Sequence, residues 1–316
     1  MRPGVMARLG LGYAELSVSH PSLIYCSISA YGQEGPYADR AGVDGIIQAD
    51  SGLMSLIGVP GGEPCKAQAP VVDVMTGYVA CVGVLARLAQ RARDGQGGHL
   101  DVNLLNAALA LQQSSITSYL ADGELPVRAG SAAPYSAPNQ AFQTADGWIM
   151  VAAYMPGRWQ RLCEVLGMPA LADDPRFATS PLRVANRADM VEALTRAFVT
   201  RSTDAWLAEL QDADILCSRV GTYEDVARHP QVAANRMIRQ AAHPALGNIR
   251  MPGFPINSAQ ENELPARPAP ACGQDTRAVL RAAGYSSAEI DGLVARQAIH
   301  CAQASVTTSQ TEAVAS

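Results

Sequence analysis

One carboxylate stands out for its surroundings: Asp73, in Ala69-Pro70-Val71-Val72-Asp73-Val74-Met75-Thr76-Gly77. An ionised group among apolar neighbours is costly unless something partners it. Two kinds of chemistry fit. As a helix N-cap, Asp73 would accept a backbone N–H from Met75 or Thr76. As a nucleophile it would use the same geometry. The positive end of a helix favours the ionised carboxylate, apolar neighbours strip water from it, and a carboxylate can attack an acyl group. Gly77 and the small residues after it would let a substrate approach the backbone closely. Residue types and spacing leave both readings open.

Other chemical signals are weak or missing. The chain has no G-x-S-x-G elbow, no H-E-x-x-H and no phosphate loop ending in Gly-Lys-Ser/Thr. Gly10-Leu11-Gly12 lacks the third glycine of a dinucleotide fingerprint and reads as a turn. The five histidines are dispersed, and His99, on a strand, reads as a satisfied core or edge residue. Seven scattered cysteines without a C-x-x-C pair disfavour both a disulfide framework and a zinc site. They read as reduced, mostly buried thiols in a cytoplasmic protein, with no metal. A net charge of -5 leaves no electrostatic footprint for nucleic acid. The most apolar stretch, Val74 to Ala86, stops at Arg87 and reads as too short to span a bilayer, so no membrane partner is expected. The start, Met1-Arg2-Pro3-Gly4, lacks the apolar run of a signal peptide.

The elements that must position Asp73 follow from periodicity. Ser22 to Ala30 runs apolar and alternating, as a buried strand does. Val43 to Leu56 reads as one helix on a sheet. Asp73 opens an amphipathic helix from Val74 to about Arg93, closed by Asp94-Gly95. A short strand, His99 to Asn103, and a buried helix, Leu104 to Leu120, come next. Asp122 to Asn139, rich in Gly, Pro, Ala and Ser, is a linker. Ala145-Asp146-Gly147 then marks a hairpin before Trp148 to Val151, and helices follow near 157–166, 186–199 and 203–212. Trp148, Trp159 and Trp206 read as core. Arg239 to Ile256, with Gly247-Asn248 inside it, reads as a second hairpin, and Glu261 to Gly273 as a second linker. Two short helices follow, the second after Ser286-Ser287. The tail from His300 has little to bury and reads as disordered.

The expected architecture is therefore α/β, a Rossmann-like parallel-sheet domain followed by a smaller α+β domain. The division runs 1–121 (catalytic domain, incomplete at its N-terminus), 122–139 (linker), 140–258 (small domain), 259–273 (linker), 274–299 (helices returning to the large domain) and 300–316 (tail).

Several segments, in order, resemble the family III CoA-transferases, the group of carnitine-CoA and formyl-CoA transferases and α-methylacyl-CoA racemases. They include Arg2-Pro3-Gly4-Val5-Met6-Ala7-Arg8-Leu9-Gly10-Leu11-Gly12-Tyr13, Ser27-Ile28-Ser29-Ala30-Tyr31-Gly32 and Asp44-Gly45-Ile46-Ile47-Gln48-Ala49. Asp73-Val74-Met75-Thr76-Gly77, Gly95-Gln96-Gly97-Gly98-His99-Leu100-Asp101-Val102, Asp174-Pro175-Arg176-Phe177 and His229-Pro230-Gln231-Val232 continue it. The resemblance implies that Asp73 is the catalytic aspartate, forming an aspartyl-acyl anhydride and then an aspartyl-CoA thioester. It implies that the turn carrying Arg8 and Leu9 binds CoA, with the Arg8 guanidinium on phosphate. It further implies an interlocked homodimer, acyl-CoA and a carboxylate acceptor as substrates, and no cofactor beyond the CoA thioester itself.

The departures bear on the activity. Racemases of the family carry a His just before the Asp at position 44, where this chain has Val43; a racemase-like enzyme is the alternative that this departure disfavours. Gly130-Ser131-Ala132-Ala133-Pro134-Tyr135 stands where formyl-CoA transferases carry a Gly-rich loop, and Ala41 where some members have a CoA-contacting Lys. Family members run a strand–helix–strand region ahead of the Arg-Pro-Gly segment. Its absence from the sequence leads to the reading of a missing N-terminal segment, with a truncated non-catalytic member as a further alternative.

Overall fold

Two parallel strands hold the first layer together: β1 (Ile24–Ser29) pairs in register with β2 (Gly98–Asn103), Ile24 opposite Gly98 and Ser29 opposite Asn103. The computed structural model describes residues 2–243, 245–256 and 266–302. Short helices α1 (Val5–Arg8) and α2 (Tyr13–Ser19) precede β1. Between the strands run α3 (Asp44–Asp50), α4 (Leu53–Leu56) and the long α5 (Val71–Asp94). The single helix expected over Val43 to Leu56 is broken by Gly52, whose φ of 81° lies in the left-handed region that a side chain disfavours.

Helix α5 ends as its sequence dictates. Gly95 takes a φ of 74° and returns its N–H to the Arg91 carbonyl. The chain then enters β2 through Gly97, where a Cβ would collide with the Leu23 carbonyl oxygen. α5 lies on the sheet face carrying Leu100, with Gly83 close to that leucine. Val72, Thr76 and Ala80 are its buried residues, while Val74, Tyr78, Val82 and Leu85 are exposed. The helix extends beyond the apolar stretch counted from sequence. It has 24 residues, and an 18-residue stretch within it has a mean hydropathy of 1.7, so it is long and apolar enough to cross a membrane by length and composition. The sequence reading missed this because it stopped at Arg87.

After β2 the expected buried helix is instead two, α6 (Leu104–Leu111) and α7 (Gln113–Asp122). They break at Gln112, whose buried amide donates to the Ser51 and Ala108 carbonyls. None of the α7 residues is buried, contrary to the inference from its low charge. Ile47, Val72, Leu104 and Ala108 form the core of this layer.

The hairpin at Asp146-Gly147 is present. β3 (Asn139–Gln143) pairs antiparallel with β4 (Trp148–Ala152), which pairs with β5 (Leu216–Arg219). Helices α8 (Pro156–Val165), α9 (Pro169–Ala172), α10 (Ser180–Ala185), α11 (Arg187–Phe198) and α12 (Thr203–Asp212) surround this sheet. Phe142 stacks on Phe198 at 5.0 Å, and Phe198 meets Trp206 edge-on at 5.5 Å. Each such buried ring contributes about 1.5–3 kcal/mol. Trp159 and Trp206 are core residues as expected; Trp148 is half exposed, on the outer side of β4. Arg183, fully buried, donates to the carbonyls of Ala137 (2.6 Å), Phe177 (2.6 Å) and Tyr154 (2.7 Å) and lies over the Trp159 ring.

Two units are distinguished by packing, one ending at Val220 and one beginning at Gly221. The boundary falls within the 140–258 segment of the sequence-based division. The second unit holds α13 (Tyr223–Arg228), α14 (Pro230–Ala234), the antiparallel pair β6 (Ile238–His243) and β7 (Gly247–Pro252), α15 (Thr276–Ala282) and α16 (Ser287–Ala295). Gly247 opens β7 rather than forming the turn tip. Ser286 caps α16 in a reciprocal box with Glu289, and Arg277 pairs with Asp291 at 2.7 Å. The expected tail beyond residue 302, and residues 257–265 of the second linker region, lie outside the described residues.

Candidate active site

The start of α5 explains how Asp73 is presented. Pro70 stands at the cap position and offers no side-chain acceptor. The acceptor comes instead from Asp44, the first residue of α3: its Oδ2 accepts the backbone N–H of Val72 at 2.9 Å and of Asp73 at 3.2 Å. Its Oδ1 accepts Gln48 Nε2 at 2.5 Å. Buried Gln48 in turn holds the chain ahead of α5, accepting Ala67 N–H at 2.8 Å and donating to the Ala67 carbonyl at 3.2 Å. Asp44 thus neutralises the positive end of α5 from a separate helix.

This corrects the capping reading. Asp73 is the third residue of a helix that begins at Val71, and its side chain is not the cap. Among the described residues its carboxylate accepts no hydrogen bond and forms no ion pair. Nor do its apolar neighbours bury it: the residue is exposed, because Val72 and Thr76 point inward while Asp73 points out. The carboxylate is left available on the first turn of a helix.

It faces a cavity of about 380 Å³ lined by Arg2, Pro3, Ile28, Ser29, Ala30, Arg40, Ala41, Gly42, Val43 and Leu104. The wall is largely apolar, with two guanidinium-bearing side chains in it. Arg40 is seated 3.5 Å above the Tyr37 ring, and Tyr37 meets Tyr31 edge-on at 5.6 Å. The Tyr31 hydroxyl hydrogen-bonds Asp50, and burial together with that carboxylate pushes the phenol above its ordinary pKa. A free carboxylate, an apolar wall and two cations together could accommodate an anionic acyl compound.

Arg8 and Leu9 are elsewhere. Arg8 ends α1, Leu9 follows it with 64% of its surface exposed, and neither lines the Asp73 cavity. From the same N-terminal segment the structure brings Arg2 and Pro3 to Asp73. An adjoining cavity of about 510 Å³ shares Arg2, Pro3 and Ile28 and is also lined by Gly4, Tyr13, Tyr25 and His99. His99 bonds Ser27 Oγ through Nε2 at 2.8 Å and stacks on Tyr13 at 5.1 Å, a satisfied edge residue.

No group of three or more His, Cys, Asp or Glu side chains that could hold a metal occurs among the described residues. All seven cysteines are free. Only Cys163 is fully buried, while Cys65, Cys81 and Cys272 are exposed, so the expectation of mostly buried thiols does not hold. Burial pushes the Cys163 thiol up to about 12.

A parallel α/β layer thus presents a free aspartate on a helix's first turn, beside two guanidinium-bearing side chains. The family follows from sequence: residues 1–276 match the profile of CoA-transferase family III, and the chain belongs to that family. It is 35% identical over 279 residues to a mouse succinyl-CoA:glutarate CoA-transferase, covering 88% of this chain and 64% of the relative. It is 36% identical over 277 residues to a succinate–glutarate CoA-transferase of Agrobacterium fabrum, covering 87% of this chain and 69% of that one. A CaiB/BaiF family protein of Brucella suis superposes with a TM-score of 0.71 at 35% identity, over 82% of this chain and 67% of that one. The chain therefore spans just under two thirds of the length of the mouse relative.

Sequence reasoning found Asp73 but missed Asp44, Arg2 and Arg40 as its surroundings. Asp44 had a usable signal, an acid at a helix start. Arg2 and Arg40 had none, because 38 and 71 residues separate Arg2 from Arg40 and from Asp73, and only the fold gathers them.

Proposed function

We propose that this protein transfers coenzyme A from an acyl-CoA to a carboxylic acid, with Asp73 as the nucleophile. The observation that carries the reading is the unpartnered Asp73 carboxylate, on the first turn of α5 and lining a cavity with Arg2 and Arg40. Family membership supports it, as do the activities named for the mouse and Agrobacterium relatives.

The steps balance as follows. An Asp73 oxygen attacks the thioester carbonyl, the C–S bond breaks, and CoA leaves as thiolate with an aspartyl-acyl anhydride behind it. The thiolate attacks the aspartyl carbonyl of the anhydride, releasing the first acid and leaving an aspartyl-CoA thioester. The acceptor carboxylate attacks that thioester and expels thiolate. The thiolate then attacks the acceptor's acyl carbonyl in the new anhydride, regenerating Asp73. No net proton or electron is consumed. A two-base, racemase-like reaction would need a second proton-transfer group beside Asp73, and Val43 supplies none.

Arg8 and Leu9 are the proposed CoA contacts on the outer turn, with Arg8 on phosphate. The same reading carries a homodimer acting in the cytoplasm, with the CoA thioester as substrate and no further cofactor. The test is chemical trapping: incubation with acyl-CoA and hydroxylamine should convert Asp73 to its hydroxamate, read by peptide mass. Asp73→Ala should stay folded and lose CoA exchange. Full exchange by a folded Asp73→Ala protein would rule the mechanism out.

A further inference from the structure

We infer that Arg40 selects the acceptor, and that the acceptor is a dicarboxylate whose second carboxylate it binds; this rests on the CoA-transfer reading of the Asp73 site. Two cationic side chains line the cavity, one more than a single acceptor carboxylate engages. A monocarboxylate acceptor brings one anion, and that anion must become the attacking group at Asp73. Two guanidiniums, Arg2 and Arg40, line the same cavity, and neither forms a salt bridge among the described residues. The rest of the wall is Ser29 and apolar residues such as Ile28, Val43 and Leu104, and it holds no other cation for a second anion.

Arg40 is the better placed of the two to discriminate. Its guanidinium carbon lies 3.5 Å from the centre of the Tyr37 ring, which is braced by Tyr31, whose hydroxyl is tied to Asp50. A cation fixed before the ligand arrives loses less entropy on binding it. The Arg40 guanidinium lines the cavity without a salt bridge among the described residues, and its paired donors match a carboxylate. There is also an electrostatic reason. A dianion entering a largely apolar cavity loses its hydration, which is costly unless cations sit beside it. One carboxylate on Arg40 would leave the other to react at the Asp73 acyl carbon.

The experiment compares glutarate with pentanoate, acids of equal chain length that differ in the second carboxylate. CoA transfer from succinyl-CoA to each is measured for the unmodified protein and for Arg40→Gln and Arg40→Lys. Loss of one charge-assisted bidentate contact should lower the glutarate-to-pentanoate ratio of kcat/KM by roughly tenfold to a hundredfold. Arg40→Lys should recover part of that ratio, since it restores charge without the planar fork. An unchanged ratio in Arg40→Gln overturns the inference. So does a rise in KM confined to succinyl-CoA, which would put Arg40 on the CoA phosphates.

Equilibrium titration of the three proteins with glutarate and pentanoate in the presence of CoA separates the two readings. Selective, Arg40-dependent glutarate binding by a chain that transfers no CoA would sustain the inference and sink the proposed function. Equal transfer to both acids would do the reverse.

Discussion

Replacing Asp44 by Ala tests how the nucleophile is held. The Asp44 carboxylate accepts the Val72 and Asp73 backbone N–H groups, so its loss uncaps the first turn of α5. The two bonds are not equivalent. Val72 is fully buried, so its N–H would be left without water, whereas the exposed Asp73 N–H can be resolvated. An orphaned buried donor costs about 1–3 kcal/mol, and the lost interaction with the helix end adds about 0.3–1 kcal/mol. We expect local destabilisation of about 2–3 kcal/mol. Asp44→Asn keeps one acceptor oxygen for the α5 N–H groups but loses the charge and turns its NH2 towards the Gln48 amide donor, so about 1–2 kcal/mol is expected. Amide hydrogen exchange resolves the effect. In Asp44→Ala the Val72 and Asp73 amides should exchange on the order of thirtyfold faster or more, at 1.36 kcal/mol per factor of ten. Amides in the middle of α5, at Val82 and Gly83, should change much less. Unchanged protection at Val72 would refute the reasoning, because the cap would then contribute nothing.

Three further outcomes follow from the geometry. Arg183→Met strands the three buried carbonyls of Ala137, Tyr154 and Phe177, and should destabilise the first unit by more than about 3 kcal/mol in a urea titration followed by tryptophan fluorescence; a change below 1 kcal/mol would mean the carbonyls find other donors. The Asp146 carboxyl lies below its ordinary pKa because it accepts the Thr203 backbone N–H and hydroxyl. Its native state binds fewer protons than its unfolded state, so the stabilisation is present above the unfolded pKa and is lost as pH falls from about 4 through the native value. Asp146→Asn should flatten that acid limb of the stability curve, and an unaltered limb would assign it to other carboxylates. Finally, a thiol reagent at neutral pH should label Cys65, Cys81 and Cys272 quickly and Cys163 only on unfolding; early labelling of Cys163 in the native protein would contradict its burial.

What could be read from the sequence was whatever short-range periodicity and turn chemistry determine. The apolar alternation from Ile24 gave β1, Asp146-Gly147 gave the β3–β4 turn, and Asp94-Gly95 gave the end of α5. The failures share a cause. Gly52 and Gln112 look tolerable inside a helix, and it is the packing around them that breaks the chain there. The start of α5 was misplaced because its cap is supplied by Asp44, 28 residues upstream of Val72, and no local pattern announces a cap from another helix. Asp73 was legible as an unusual acid, yet whether it capped, paired or stood free depended on that distant residue. Arg183 offers the same lesson from the core: three carbonyls from three segments define its place.

The parallel pairing of β1 with β2 also bears on how the chain reaches its native state. Ile24 pairs with Gly98 and Ser29 with Asn103, so every rung joins residues 74 positions apart. No rung is local, and closing such a loop costs on the order of 4 kcal/mol before any contact rewards it. α5, whose own hydrogen bonds span four residues, can form beforehand and shorten the distance to be searched. Pulse-labelling exchange during refolding should therefore protect the middle of α5 earlier than the β1 and β2 amides. The site would then be assembled last, since Arg2 and Arg40 reach the cavity around Asp73 only once that sheet has closed.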